Sequence, residues 1–355
     1  MSRFMNSRYD GLKPYVPGEL PKGRPFIKLN TNESPYPPSE GVLRCFNADA
    51  GAGLRLYPDP ENRDLNRAIA GYWGVNPENI MATGGSDETI ELALMAFAED
   101  GIAYPDETYG FYAVFADLHS LDVKLIPLRE DFSIDPEDYL NLDRAIIFAN
   151  PNAPTGLYLS RDEIRRIAEA NPDHVVIVDE AYVEFGNESM IPLTREYDNL
   201  LVIQTFSKSK NMAGARIGFA CGNEALIKDL ETLRNSRNPY DISRTSQAAG
   251  VKALEEASYY RARCEEIIMT REWTACELRK LGFHCTDSHT NFLFAAHETI
   301  PGEEIAAKLR EKGILVRHFD RERIRDYNRI TVGTEEDMKA VVQALKEIVY
   351  ERENS

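Results

Sequence analysis

Short apolar runs of strand length recur along residues 79–221, and stretches with helical periodicity lie between several of them. Apolar runs without a polar face are typical of strands that are buried on both faces, whereas apolar residues spaced three and four apart indicate an amphipathic helix. Their alternation predicts an α/β fold in which helices cover both faces of a mostly parallel sheet. The predicted strands are Asn79–Ala82, Ile102–Tyr104, Val123–Pro127, Arg144–Ala149, His174–Asp179, Asn199–Gln204 and Arg216–Cys221, and the predicted helices are 62–73, Thr89–Ala98 and Arg161–Ala170.

The pattern changes after residue 221, where helical periodicity dominates and predicts a smaller α+β domain. A chain of 355 residues is long enough for two domains. We therefore expect an N-terminal arm over 1–25, a large domain over 26–245 and a small domain over 246–355, with 26–45 as a segment that can also pack on the small domain. The elements predicted here are helices at 223–236, 246–281, Gly302–Lys312 and from Thr334 to about residue 350, and strands Asn291–Ala295, Ile314–His318 and Arg329–Val332.

The net charge of −17 restricts the partners that the protein can have. It argues against nucleic acid and anionic membranes as partners, and it requires that any anionic ligand be held by local cations. The longest apolar runs are far shorter than a membrane span, and the first fifteen residues contain no apolar secretion signal. The five cysteines form no CxxC pair, which predicts reduced thiols in the cytoplasm rather than a disulfide framework or a metal site.

A basic segment around Lys208 separates two of the predicted buried strands. Burial opposes the charge of a lysine and lowers its pKa, and a neutral amine is what attack on a carbonyl requires. Ser207 beside this lysine and Arg216 eight residues later are suited to bind an anionic group. A polar loop with solvated lysines is the alternative explanation, and the spacing alone does not decide between the two.

Two further motifs occur where predicted elements end or begin. Asp179 closes an all-apolar run, where a carboxylate needs a partner; a protonated ring nitrogen fits that need, and capping of the next helix is the common alternative. Gly84 and Gly85 precede a predicted helix, and the backbone N–H groups of Ser86 and Asp87 can then bind an anion, although a tight turn is the simpler explanation. Ligands of open α/β sheets lie at the carboxyl ends of the strands, so we expect these motifs to converge there.

Taken together, these motifs resemble those of the fold-type I aminotransferases of class I and II, which use pyridoxal phosphate (PLP). Within that family the chain is most similar to the histidinol-phosphate aminotransferase branch. The resemblance runs from about residue 10 to residue 350 and implies a large domain with a mostly parallel sheet and a smaller C-terminal domain. The matching stretches, in the same order as in the family, are Asn32–Pro35, Leu54–Pro60, Thr83–Glu88, Thr108–Tyr112, Asn150–Gly156, Asp179–Tyr182, Thr205–Arg216 and Arg237–Tyr240.

The resemblance also implies a role for each site residue. Lys208 forms the Schiff base with PLP and acts as the general base, Asp179 faces the ring nitrogen, and Tyr182 contacts the phenolic oxygen. The other cofactor-binding residues implied are Gly85, Ser86, Asp87, Tyr109, Asn152, Ser207, Arg216 and, from the second subunit of a homodimer, Tyr57. The substrate-binding residues implied are Tyr15, Asn32, Arg317 and Arg329.

Two positions depart from the family pattern. Gly84 stands where the family has Asn, which removes a side-chain contact but keeps the backbone donors that follow. Ala153 stands where the family has the Asn that contacts the phenolic oxygen of PLP. Either Asn152 reaches this oxygen from one residue earlier, or Tyr182 binds it alone, and the sequence leaves both open.

For the reaction, the resemblance implies transfer of an amino group from a phosphorylated amino alcohol, L-histidinol phosphate, to a 2-oxo acid, 2-oxoglutarate. The products would be imidazole-acetol phosphate and glutamate, a step of histidine biosynthesis. The same scaffold also resembles aromatic amino-acid aminotransferases and threonine-phosphate decarboxylase. A non-catalytic, PLP-binding regulatory protein is the alternative of another class, and Ala153 is the feature that favours it.

Overall fold

The structure, a computed structural model, describes residues 2–9, 11–12, 18–19 and 25–354. Its strands form two separate sheets, one of seven strands and one of five. The strands are β1 (Ile27–Leu29), β2 (Ile80–Thr83), β3 (Ile102–Pro105), β4 (Val123–Ile126), β5 (Ala145–Ala149), β6 (Val176–Asp179), β7 (Leu200–Thr205), β8 (Gly218–Cys221), β9 (Phe283–Cys285), β10 (Phe292–His297), β11 (Ile314–His318) and β12 (Tyr327–Thr331).

Helices cover these sheets and connect many of the strands. The α-helices are α1 (Glu40–Arg44), α2 (Ala48–Gly53), α3 (Arg63–Trp73), α4 (Ser86–Phe97), α5 (Phe111–His119), α6 (Arg161–Ala170), α7 (Glu224–Arg237), α8 (Arg244–Glu255), α9 (Ala257–Lys280), α10 (Gly302–Glu311) and α11 (Glu335–Glu353). Short 3₁₀ turns occur at Ser7–Tyr9, Pro77–Asn79, Pro136–Tyr139, Ile191–Arg195 and Ala213–Ala215.

The seven-stranded sheet has the order β2-β8-β7-β6-β5-β3-β4, and β8 runs antiparallel to both of its neighbours while the other adjacent pairs are parallel. Its central strands are fully buried because side chains that alternate along each strand enter two different cores. Val176 and Val178 pack into one core, and Ile177 between them packs into the other. The fold class predicted from the sequence, an α/β fold with a mostly parallel sheet, is confirmed.

The five-stranded sheet has the order β1-β11-β12-β10-β9 and is antiparallel except for the β1–β11 pair. Its core includes side chains of α9, α10 and α11. Helix α11 begins with a capping box in which Thr334 and Asp337 bond to each other's backbone N–H groups, which satisfies donors that the first turn leaves open. Because β1 belongs to this sheet, the chain just before residue 30 lies beside β11.

Several predicted elements differ from the structure. The predicted helix 246–281 is two helices, α8 and α9, which meet at Glu256, where a carboxylate oxygen accepts a hydrogen bond from the Gly41 N–H. The strand predicted from Arg216 begins at Gly218, because Arg216 has a left-handed backbone with φ of +52° that a strand cannot contain. Helix α5 was not predicted because the run Phe111–His119 is apolar on nearly every side.

Helix α8 begins at the predicted boundary near residue 245 and belongs almost entirely to the segment predicted as the small domain, yet it packs on α3. Gly250 of α8 approaches Leu65 of α3 and Ile217, and Ala249 and Ala253 belong to the core of the larger sheet. The division of the chain into domains stays a prediction. In the described residues, no helix combines the length and the apolar character that crossing a membrane requires.

The close approach of α8 to α3 allows a stability test at Gly250. A Cβ built on Gly250 would lie 2.8 Å from Leu65 Cδ1 and 3.0 Å from Ile217 Cδ1. We expect Gly250→Ala to lower the free energy of unfolding by about 1–3 kcal/mol, measured by urea denaturation, because the helices must move apart.

The matched control is Gly71→Ala in α3, where a Cβ would meet no atom within 4 Å. At this exposed helical position the substitution should raise the free energy of unfolding by about 0.5–1 kcal/mol, since alanine loses less backbone entropy than glycine on folding. Equal effects of the two substitutions would contradict the packing argument.

Candidate active site

A cavity opens at the edge of the larger sheet where the parallel strands end. Asp179 is the last residue of β6, Lys208 follows β7, and Ser86 opens the helix that follows β2. Because the carboxyl ends of parallel strands meet at one edge, these distant segments converge. The residues that line the cavity are Thr31, Glu33, Ser86, Asp87, Tyr109, Ala149, Ala153, Asp179, Ala181, Tyr182, Thr205, Ser207, Lys208, Ala213 and Arg216.

Lys208 lies in the loop between β7 and β8, which closes on itself through a hydrogen bond from the Met212 N–H to the Phe206 carbonyl at 3.1 Å. Its Nζ donates to the backbone carbonyl of Thr31 at 3.3 Å and lies 6.0 Å from the centre of the Tyr182 ring. Burial lowers the pKa of Lys208 to about 8, and the positive charge of Arg329 acts in the same direction. The amine is therefore far more often neutral near physiological pH than a solvated lysine.

Asp179 is 3% exposed and accepts two hydrogen bonds, from the Tyr112 hydroxyl at 2.8 Å and from the Ala181 N–H at 3.2 Å. Burial raises the pKa of Asp179 to about 6, against the effect of these hydrogen bonds. A carboxylate buried in this way would be stabilised by a cationic group bound in the cavity. Tyr112 comes from α5 and was not predicted as a site residue.

Tyr182 follows Asp179 by three residues and is held from the other side by Asn32. The Asn32 side chain donates to the Tyr182 hydroxyl at 2.8 Å, and its oxygen accepts from Thr331 Oγ1 at 3.0 Å. The Asn291 side chain donates to the Asn32 carbonyl at 3.0 Å. Asn32, predicted to bind substrate, therefore connects β12 of the smaller sheet to Tyr182.

The predicted anion site forms at the first turn of α4. Gly85 has φ of +112°, and a Cβ there would lie 2.6 Å from Arg216 Nη2, so only glycine lets the guanidinium approach. Arg216 pairs with Asp87 at 3.3 Å, and the backbone N–H groups at the start of the helix have no partner within it. Ser207 lines the same cavity, so the sequence-predicted residues Gly85, Ser86, Asp87, Ser207 and Arg216 are brought together.

Tyr109 borders the cavity beside this turn. Its hydroxyl donates to Asp87 Oδ1 at 2.8 Å, and its ring meets that of Tyr112 edge to face at 5.6 Å between centroids. Burial and the Asp87 carboxylate raise the pKa of Tyr109 well above its ordinary value, so the phenol stays protonated. The ring thus has a fixed orientation at the cavity wall.

Asn152 is not brought to the cavity, and Ala153 lines it instead. The Asn152 oxygen accepts from Thr108 Oγ1 at 2.8 Å, and its nitrogen donates to the Glu107 carbonyl at 2.9 Å and to Thr155 Oγ1 at 3.0 Å. Because its amide is used in these bonds, the geometry does not support the prediction that Asn152 binds the cofactor. The sequence left two explanations open for Ala153, and the geometry favours the second, in which Tyr182 binds the phenolic oxygen of PLP without help from Asn152.

The predicted substrate residues are only partly brought together. Arg329 donates from Nη2 to the Asn30 carbonyl at 3.2 Å, and its guanidinium lies over the Phe292 and Phe319 rings. Arg317 stands opposite Arg329 in the β11–β12 register, but it lines a neighbouring cavity that also includes Asn30.

Two predicted residues lie elsewhere. Tyr57 is 77% exposed and does not line the cavity of this chain. Tyr15 lies outside the described residues.

Thr31 and Glu33 line the cavity but were not predicted as site residues. Thr31 contributes its backbone carbonyl, which no side-chain pattern reveals. Glu33 is part of a carboxylate–hydroxyl–ammonium group with Thr31 and Lys28. Their position next to the predicted Asn32 was the only signal in the sequence that could have found them.

Comparison with known proteins identifies the family. The family model of aminotransferase class I and II matches residues 24–345, and the chain belongs to that family. It is 47% identical to histidinol-phosphate aminotransferase of Brachyspira hyodysenteriae and 48% identical to histidinol-phosphate aminotransferase 1 of Bordetella parapertussis, in each case over 98% of this chain and 99% of the relative. The crystal structure of histidinol-phosphate aminotransferase from Sinorhizobium meliloti in complex with pyridoxal-5'-phosphate has a TM-score of 0.88 at 24% identity, covering 99% of this chain and all of that one.

The residues of the cavity fit PLP. A lysine with a lowered pKa, a buried carboxylate and an aromatic wall surround one space, and helix α4 points its first N–H groups at the same space beside Arg216. These groups correspond to the aldehyde, the ring nitrogen, the ring face and the phosphate of PLP. The close approach of Arg216 to Gly85, which a Cβ would block, supplies the cation that a phosphate requires in a protein of net charge −17.

The lowered pKa of Lys208 predicts a stability change that depends on pH. Below pH 8 both the folded and the unfolded cofactor-free protein carry the charge, and folding must bury it. Because the folded pKa of about 8 lies below the ordinary lysine value of 10.5, the folded state loses its proton first, and the cost of burying the charge is relieved as the pH rises between these values. We expect Lys208→Met to stabilise the cofactor-free protein by on the order of 2–3 kcal/mol at pH 7 and by about half as much at pH 9.5, measured by urea denaturation.

Lys210→Met is the matched control, since Lys210 forms an ion pair with the buried carboxylate of Glu184. Removing this lysine leaves Glu184 unpaired and should destabilise the protein. A gain for Lys208→Met that is the same at both pH values would contradict the assignment.

Proposed function

We propose that this aminotransferase is PLP-dependent and transfers the amino group of L-histidinol phosphate to 2-oxoglutarate, giving imidazole-acetol phosphate and L-glutamate. The observation that carries the chemistry is the cavity that unites Lys208, Asp179 and the anion site of α4. The choice of substrate rests on the similarity to histidinol-phosphate aminotransferases, two of which are 47% and 48% identical to this chain over 98% of its length. The reaction is a step of histidine biosynthesis.

In the proposed mechanism, Lys208 is the residue that moves a proton. Bound PLP supplies an electron-withdrawing ring that accepts the electron pair released at the substrate Cα. Lys208 Nζ, which is neutral in a large share of molecules near pH 8, would accept the proton from the substrate Cα and donate it to C4′, the former aldehyde carbon of the cofactor. The Thr31 carbonyl, 3.3 Å from Nζ, orients the amine for this transfer.

Other residues hold the charges that the reaction requires. Asp179 presents a carboxylate that Tyr112 and the Ala181 N–H keep in place at the end of β6. Tyr182, oriented by Asn32, offers a hydroxyl to the phenolic oxygen of the ring. The first N–H groups of α4, with Ser207 and Arg216, bind the cofactor phosphate by charge-assisted hydrogen bonds.

The proposed function is tested with a panel of amino donors followed at the absorbance of the cofactor. We expect histidinol phosphate to be the preferred donor, 2-oxoglutarate to be the acceptor, and borohydride to fix the cofactor on Lys208. Lys208→Ala should abolish transamination, because no other amine lines the cavity among the described residues. The variant should remain folded.

Each alternative has its own outcome in this panel. Preference for phenylalanine or tyrosine would make the enzyme an aromatic aminotransferase, and carbon dioxide release from threonine phosphate would make it a decarboxylase. PLP binding without steady-state turnover would indicate a regulatory protein. Label on Lys210 instead of Lys208 would contradict the proposed mechanism itself.

We also propose that the active form is a homodimer in the cytoplasm that shares Tyr57 between subunits. Tyr57 stacks on Tyr240 with 4.5 Å between ring centroids, yet it remains largely exposed. Apolar side chains of the neighbouring segment, Leu43, Phe46, Leu54 and Leu56, are also exposed. Leu54, Leu56, Tyr57 and Tyr240 line one surface cavity, and exposed apolar side chains grouped in this way are typical of a protein interface. A twofold axis through such an interface would build two composite sites.

Subunit mixing tests the shared site. We expect Lys208→Ala and Tyr57→Phe homodimers each to have low activity, and mixed dimers to recover part of it, because one of their two sites contains both native residues. The measurement is the specific activity after refolding of the mixture, with each variant refolded alone as the control. No recovery, despite mixed dimers detected by mass, would contradict a shared Tyr57.

Arg329 is proposed to bind the phosphate of the substrate. It is close enough to Lys208 to lower the pKa of that lysine, and its partly buried guanidinium is a strong site for an anion. We expect Arg329→Ala to raise the KM for histidinol phosphate by an amount equivalent to roughly 2–5 kcal/mol while PLP binding is preserved. Arg317→Ala should act in the same direction if the neighbouring cavity contributes to the same phosphate.

Two comparisons complete this test. Arg329→Lys should recover only part of the affinity, because an ammonium cannot form the planar two-bond contact. Arg352→Ala, which removes an exposed cation at the end of α11, controls for net charge and should leave KM unchanged. An Arg329→Ala enzyme with native KM would exclude this arginine from substrate binding.

A further inference from the structure

The loop that carries Lys208 is anchored, on the side away from the cavity, by the largely buried carboxylate of Glu184. The side chains of Ser209 and Lys210, which follow Lys208 directly, do not line the cavity and instead reach Glu184. Lys210 forms an ion pair with Glu184, and Ser209 Oγ donates to the second carboxylate oxygen. The two residues that follow Lys208 are therefore bound to one carboxylate.

Glu184 belongs to the turn that also carries Tyr182. This turn follows β6, and its backbone is closed by hydrogen bonds from Val183 to Glu180 and from Phe185 to Tyr182. Tyr182 is thus two residues from the carboxylate on one side, and Lys208 is one residue from Ser209 on the other. The Glu184 carboxylate therefore links the loop that carries Lys208, the proposed proton-transferring residue, to the turn that carries Tyr182, the proposed contact of the phenolic oxygen.

A third element fixes the position of the carboxylate itself. The Tyr72 hydroxyl, from α3, donates to Glu184 Oε1 at 2.8 Å, and Lys210 Nζ lies 4.8 Å from the centre of the Tyr72 ring. The side chain of Lys210 is only 4% exposed and that of Glu184 17% exposed. Burial opposes the charge of Glu184, but Lys210, Ser209 and Tyr72 together keep its pKa below the ordinary value.

We propose that Glu184 is a positioning residue for the aminotransferase reaction: by binding Ser209, Lys210 and Tyr72 at once, it sets the position of Lys208 relative to Tyr182. The proposal rests on the proposed role of Lys208 in binding PLP. A carboxylate of this length reaches all three partners, so both its charge and its reach matter. A reacting amine displaced by about 1 Å can lose roughly a hundredfold in rate, which is the scale of effect that the anchor prevents.

The test uses the PLP-loaded enzyme and the variants Glu184→Gln and Glu184→Asp. Glutamine keeps the length and loses the charge, while aspartate keeps the charge and loses the reach. We expect both to lower kcat roughly 10- to 100-fold with the KM for the amino donor nearly unchanged, since substrate contacts are not altered. In Glu184→Gln the uncompensated Lys210 charge should also shift the absorbance change of the lysine-linked cofactor to lower pH.

Asn171→Ala is the control for a general loss of stability. Asn171 is also buried and makes three hydrogen bonds, to the Leu142 N–H and to the Tyr139 and Ile167 carbonyls, but it lies at the opposite edge of the sheet, before β6 begins. We expect this variant to lower the melting temperature while kcat and the pH dependence of the absorbance stay as in the wild type.

Three results would overturn the proposal. If Glu184→Gln and Glu184→Asp lose no more kcat than Asn171→Ala, the carboxylate has only a structural role. If Glu184→Asp keeps native kcat while Glu184→Gln does not, charge compensation alone accounts for the effect. If the absorbance titration of Glu184→Gln is unchanged, the anchor does not reach Lys208. Borohydride labelling of the wild type away from Lys208 is a separate outcome, because it rejects the proposed function rather than this inference.

Discussion

The desolvation of one ammonium group is the constraint on which the rest of the site depends. Lys208 is surrounded by the ends of buried strands, and its nearest hydrogen-bond acceptor is a neutral carbonyl rather than a carboxylate. An acidic side chain bonded to Nζ would hold the proton and leave the amine unable to react. The carboxylates that border the cavity are instead occupied by other donors, Asp87 by Tyr109 and Arg216, and Asp179 by Tyr112.

The two lysines of the loop show how much a partner changes the same chemical group. Lys208 and Lys210 are two residues apart; Lys208 is half-buried and Lys210 is buried, and Lys210 has the largely buried Glu184 carboxylate beside it. Lys210 is held in an ion pair that anchors the loop, whereas Lys208 donates to a neutral carbonyl and has a lowered pKa. The fold separates these roles by directing the two side chains to opposite sides of a short loop.

Much of the site could be predicted because its residues follow apolar strands directly. Lys208, Asp179 and Ser86 are each preceded by a run whose burial is evident from the sequence, and the ends of parallel strands must meet. Contacts between distant segments could not be predicted in this way. Tyr112 lies in a helix without a polar face.

Two details show the same limit. The Asn152 amide is consumed by partners from three other positions, although the sequence offers it as a candidate ligand. The left-handed backbone of Arg216 shortens β8 at its start, a feature that no apolar pattern records. Local patterning therefore located the candidate site, while the hydrogen bonds that distinguish between its residues depended on the tertiary fold.

Asn32 couples the positions of the two sheets, because its side chain bonds to residues beside both of them. The left-handed backbone of Asn32, with φ of +54°, turns the chain after β1. The side-chain nitrogen of Asn32 donates to the Tyr182 hydroxyl beside the larger sheet. The Asn32 side-chain oxygen accepts from the Thr331 hydroxyl at the end of β12, and the Asn32 backbone N–H donates to the same hydroxyl oxygen. Any displacement of β12 relative to β6 must stretch this bridge and change the hydrogen bonding of the Tyr182 phenol. Because Arg329 lies on the same strand as Thr331, a shift of β12 on substrate binding at the proposed Arg329 site would change the hydrogen bonding of the Tyr182 phenol through Asn32.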